Sequence, residues 1–134
     1  MTIKDLYRLN DLRKLIAKTK RKIAQVEASL DAAGVNYSAM PRNRSSKNSI
    51  SDRNNRLIDL RDTLKAQESD YIAQLIEIER FILNIDDYHV KLIVSLHFVD
   101  GLTWMQTAQR IGGNTEDSVR KACERYIEEY NKKH

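Results

Sequence analysis

Few residues in this chain have both the type and the spacing for covalent or metal chemistry. His89 and His97 stand eight residues apart on one expected helix, without thiol or carboxylate partners suited to zinc, so no metal is expected. Cys123 is the single cysteine; it lacks a partner for an internal disulfide or a thiolate site and reads as a small inward-facing hydrophobe. Asp59, Asp62, Glu68, Asp70, Glu77 and Glu79 follow one helix and read as its solvated face. No phosphate loop, nucleophile with a base or carboxylate dyad is present. The expectation is a non-enzyme without a cofactor.

A different chemistry, hydrogen bonding to a polyanion, suits two other groups of residues. Thr115, Ser118, Arg120, Lys121 and Arg125 lie within one short stretch near the C-terminal end. Hydroxyls at a helix N-terminus donate to phosphate, while arginine and lysine reach guanine edges or phosphate. The second group is Arg42, Arg44 and Lys47, set among serines and asparagines as in a groove-reaching arm. Glu116, Asp117 and Glu124 interrupt the first group; each repels a phosphate backbone unless it faces cytosine or a protein partner. Base reading and protein docking therefore both stay open for that face.

These side chains need elements to hold them. Thr103 and Gln106 form a Thr-x-x-Gln capping box, starting a short helix expected to end near Ile111. Gly112, Gly113 and Asn114 form a turn, and Thr115 caps a last helix running to about Tyr130. Ala108 is the small residue that lets two short helices cross, with Trp104 and Ile111 as its inward partners. Val119, Ala122, Cys123, Tyr126, Ile127 and Tyr130 mark the inner face of the last helix. Before these, Asp86 and Asp87 cap a helix to about Val99, with Val90, Ile93, Val94 and Leu96 or Phe98 as core and Asp100-Gly101 as its turn.

Farther upstream, Leu9, Leu12, Ile16, Thr19, Ile23, Val26 and Leu30 alternate steps of three and four, a heptad seam interrupted once, at Thr19. A helix over 4–33 would be about 45 Å long. Gly34 reads as its stop, and 34–51, where Gly, Pro, Asn and Ser dominate and periodicity vanishes, as a flexible basic loop. A second seam through Leu57, Leu60, Leu64, Gln67, Tyr71, Leu75, Ile78, Ile82 and Ile85 gives a second helix over about 52–84. One narrow stripe cannot be buried alone, so the two helices are expected to pair. Apolar residues on further sides, at Ile72, Ile76, Phe81 and Leu83, call for another partner, the next domain or a second subunit. The fold class expected is all-α: a long antiparallel helical hairpin over 1–85, then a three-helix helix-turn-helix domain over 86–134.

The formal net charge of +4 is unevenly spread. Residues 1–33 hold eight Lys/Arg against four Asp/Glu and 34–56 hold five against one, whereas 114–134 hold five of each. Lys18, Lys20, Arg21 and Lys22 form a basic patch on the first helix, read either as a solvated face or as a phosphate contact. The longest apolar run, Leu92-Ile93-Val94, is too short for a membrane span, and charge interrupts any candidate signal core near Met1. A cytoplasmic protein is expected.

The segment IVSLHFVDGLTWMQTAQRIGGNTEDSVRKACERYIEE resembles the sigma-70 region 4 type of helix-turn-helix. More closely, it is similar to short RinA/ArpU-like regulators of phages and prophages. The resemblance is clearest over about 86–130 and extends loosely to YSAMPRNRSSKNSISD and the helix after it. It implies double-stranded DNA as partner, late promoters as target, contact with host RNA polymerase, and a nucleoid-associated place in a bacterial host. The broad apolar flanks add a homodimer through the hairpin. Two other readings stand beside it: a small terminase-type packaging subunit, and an adaptor or inhibitor that binds a host protein through the same fold.

Overall fold

A computed structural model describes residues 1–39 and 44–133, with side chains described outside 33–49. Every regular element among the described residues is helical. The order is α1 Ile3–Ala39, α2 Arg44–Leu83, α3 Tyr88–Val94 continuing as a π-helical turn over Ser95–Val99, α4 Trp104–Ile111 and α5 Glu116–Lys133. The chain forms two compact units: Met1–Arg13 with Tyr71–His134, and Lys14–Asp70.

The unit of Lys14–Asp70 is held by the seams. Ile16, Ile23, Val26 and Leu30 are half-buried and Thr19 is buried, while the positions between them, Ser29 apart, face solvent. Thr19 and Gln67, the polar interruptions of the two seams, meet: the Thr19 hydroxyl donates to Gln67 Oε1 at 2.8 Å. Arg61 pairs with Glu27 at 3.1 Å, and Arg53 donates to the Ser29 carbonyl at 3.4 Å. Partner numbers fall along α2 as they rise along α1, so these two segments run antiparallel. A polar pair in an apolar seam fixes register, because any slip leaves a buried hydroxyl and a half-buried amide without partners.

The helix ends correct the expected loop. Helical backbone continues past Gly34 to Ala39 and resumes at Arg44, so most of 34–51 is helical. One interior glycine costs a helix only about 1 kcal/mol, and Ala32 and Ala33 before it are strong formers. Arg42 lies outside the described residues, and of Arg44 and Lys47 only the helical backbone is described.

The other unit has a continuous core of Leu6, Leu9, Ile78, Phe81, Ile82, Ile85, Val90, Ile93, Val94, Phe98, Ala108, Val119, Cys123 and Ile127. Thr2 and Asp5 cap α1 reciprocally, which starts the helix early enough to seat Leu6 and Leu9, both fully buried. Asp87 caps α3 by accepting from the His89 and Val90 amides. Phe81, one of the broad-flank residues, packs edge-on to Tyr130 at 5.0 Å, whereas Ile72, Ile76 and Leu83 are exposed.

The π-helical turn is a departure from expectation. It buries Leu96, His97 and Phe98 in succession, which one face of a regular α-helix cannot do. Tyr7 packs edge-on to Phe98 at 5.0 Å, and Trp104 stacks on the buried His97 ring at 3.6 Å. Arg13 closes the end of this turn. Its guanidinium donates to the carbonyls of Phe98 and Val99, to the Tyr71 hydroxyl at 3.3 Å and to Asn10 Oδ1 at 2.7 Å. These carbonyls belong to the last residues of the helix, which have no intrahelical donor.

Candidate nucleic-acid interface

α4 begins with the capping box read from the sequence: the Gln106 amide donates to Thr103 Oγ1 and the Thr103 amide to Gln106 Oε1. It ends at Gly112, whose amide still reaches the Ala108 carbonyl. Gly112 and Gly113 both have positive φ, +80° and +69°, and a Cβ on either would meet nothing within 4 Å. Their requirement is therefore conformational rather than spatial. Asn114 donates to the Gly112 carbonyl, and Thr115 Oγ1 accepts from the Ser118 amide at 3.1 Å to start α5.

Across this turn α4 and α5 pack on each other, and both pack on α3. Ala108 is 4% exposed; Val119 and Cys123 are fully buried and Ile127 nearly so. A larger residue at 108 would push the helices apart at their contact. Burial also lifts the Cys123 thiol to about 12, which keeps it a neutral packing group.

The opposite side of α5 faces solvent. Asp117, Ser118, Lys121, Glu124, Arg125 and Glu128 are all exposed on it. Lys121 and Arg125 stand one turn apart, and no ion pair among the described residues holds either. Thr115 is exposed at the helix start with its oxygen engaged as the cap, leaving its hydroxyl hydrogen to donate outward. Arg120 is placed differently. It is half-buried at the flank of the face, and its Nη2 is bound to Asp117 Oδ1 at 3.0 Å.

Five of the sequence-derived residues are thus brought together along α5: Thr115 as its cap, and Ser118, Arg120, Lys121 and Arg125 on the helix itself. Of the other three, Arg42 lies outside the described residues, and Arg44 and Lys47 are described by their helical backbone alone. Sequence reading passed over Gln109 and Arg110, which are exposed on the neighbouring α4 and line a shallow hollow with Leu102 and Gln106. Their signal was present: in a helix whose inward residues are Trp104, Thr107, Ala108 and Ile111, positions 109 and 110 must point away.

The face alternates in sign, with Lys121 and Arg125 interleaved by Asp117, Glu124 and Glu128. Asp117 and Glu116 in the first turn complement the positive end of the helix dipole. Such a face attracts a polyanion weakly at long range and depends on individual contacts at short range. Among the described residues, no group of three or more His, Cys, Asp or Glu side chains is placed to hold a metal ion, and no helix is long and apolar enough to cross a membrane. Comparison with protein-family models, curated proteins and solved structures returned no match.

Proposed function

We propose that the protein binds double-stranded DNA through the outer face of α5, as the reading helix of a helix-turn-helix. The observation that carries this is the two-glycine turn between α4 and α5. It closes on a buried Ala108 while the opposite side of α5 presents Thr115, Ser118, Lys121 and Arg125 to solvent. An exposed helix backed by a second helix is the geometry that enters a major groove. In this reading α1 and α2 form an antiparallel hairpin that dimerises, and two weak heads on one site gain affinity through effective concentration. The resemblance to sigma region 4-like phage regulators extends it to promoter DNA with host RNA polymerase nearby.

The test is selection of bound fragments from a phage genome by the full chain, then titration of the selected duplex with variants. Lys121→Ala and Arg125→Ala are each expected to weaken binding about 5- to 100-fold, the range of one base contact, or to reduce the salt slope by about one for a phosphate contact. Unchanged binding and salt slope in both variants refutes the reading. Light scattering decides between this and a packaging role: a dimer supports the regulator, and a ring of eight or more subunits supports a terminase-type subunit.

The interleaved carboxylates favour a second reading, in which the same face docks a host protein. Pull-down from host lysate with and without nuclease separates the two. A single host protein retained after nuclease supports the adaptor, and loss of all partners with the DNA supports the regulator.

A further inference from the structure

We propose that Asp117 is a selectivity residue that holds Arg120 and restrains α5 from engaging phosphate indiscriminately. This rests on the DNA-binding reading above and concerns the same face. Three cations, Arg120, Lys121 and Arg125, lie within the first three turns of α5, and they are not equivalent. Lys121 and Arg125 carry no ion pair among the described residues, whereas Arg120 is tied to Asp117 at 3.0 Å. The pair sits one turn apart at the start of the helix, where a groove-bound reading helix meets bases first.

The carboxylate has two consequences there. Against a phosphate it is repulsive, and its hold on Arg120 occupies one of the five guanidinium donors that would otherwise seek a phosphate. Against a base edge it is attractive only where an amino group is offered, and the cytosine N4 amino group is the usual major-groove partner of a carboxylate. The remaining Arg120 donors can meanwhile span a guanine O6/N7 edge. The pair therefore penalises most sequences and rewards a site with a G·C pair beneath it. A purely local role, an i,i+3 surface pair at a helix start, would add slightly to helix stability and nothing to DNA preference.

Asp117→Asn separates these possibilities, because the amide keeps the shape and an acceptor oxygen while removing the charge. Full-length wild type, D117N, R120A and the double variant are titrated against the selected duplex and a scrambled one at several salt concentrations. Circular dichroism melts check that all four fold. D117N is expected to bind the scrambled duplex about 3- to 10-fold more tightly, with a salt slope steeper by about one, and to lose about tenfold of its preference for the selected site. R120A should lose preference as well, and the double variant little more than either single change. If D117N leaves preference and salt slope unchanged while Lys121→Ala and Arg125→Ala still weaken binding, the selectivity role is overturned and the DNA-binding reading survives. If all of these variants bind as wild type does, both fall.

Discussion

Replacing Gly101 by alanine tests the tertiary arrangement most sharply, because two separable effects meet at that residue. Gly101 has φ of +78°, so any Cβ there incurs the left-handed penalty, roughly 1–2 kcal/mol for an L-residue. The same Cβ would also overlap the Arg13 guanidinium, whose Nη1 is the nearest atom to the position it would take. Arg13 cannot retreat freely, since it is anchored on the Phe98 and Val99 carbonyls, Tyr71 and Asn10. A hydrogen bond to a charged group contributes about 1.5–3 kcal/mol. Tyr71 and Asn10 are only partly buried and can turn to water, so displacing Arg13 should cost about 2–4 kcal/mol in total. Arg13→Ala alone should therefore destabilise the protein by about 2–4 kcal/mol, and Gly101→Ala by about 3–6. In the double variant the clash has no partner, and the total should fall short of the sum by about 2–4 kcal/mol. Urea unfolding followed by circular dichroism measures all four states. Costs that add within about 0.5 kcal/mol would show that Arg13 and Gly101 do not meet, and the account of how the π-helical turn is closed would be wrong.

Three further outcomes are expected. Thr19→Val or Gln67→Leu alone should cost about 1–3 kcal/mol by leaving the other polar group in the seam without its partner, while the double change should be near neutral and loosen the register, read from chemical denaturation and crosslinking. Burial lowers the pKa of His97, outweighing its hydrogen bond to the Leu102 carbonyl; on acidification the unfolded chain takes up the proton first. The stability this represents is complete above pH about 6.5 and erodes below it, by up to about 1.4 kcal/mol per pH unit, until the folded ring itself protonates. Thermal melts of wild type and His97→Phe between pH 7.5 and 5 should diverge in that window, and parallel curves would count against a buried neutral ring. Ala108→Leu should cost about 1–3 kcal/mol through overpacking between α4 and α5 and should weaken DNA binding more than stability alone explains, measured by melting and by titration of the selected duplex.

Much of this protein is legible one helix at a time. The three-and-four spacing from Leu9 to Leu30 names the inward positions without any knowledge of the partner, because helical geometry alone puts them on one side. Thr103 with Gln106, Thr115 and Asp87 could be read as caps because each bond closes within three residues. The outward placement of Lys121 and Arg125 follows from the same periodicity once Val119, Cys123 and Ile127 are recognised as inward.

Other features had no local mark. The meeting of Thr19 with Gln67 depends on the register of two segments 48 residues apart, and the reach of Arg13 to the Val99 carbonyl spans 86 residues. The π-helical turn that buries Leu96, His97 and Phe98 together is set by what surrounds it: Tyr7 on one side and Trp104 on the other make a wider helical turn the better packing. Arg120 belongs to this class too, since its outward reach was read from spacing while its bond to Asp117 depends on side-chain conformation. Sequence periodicity reports which side of a helix avoids water, a property of each helix by itself. What that side touches is a property of pairs, and only packing decides it.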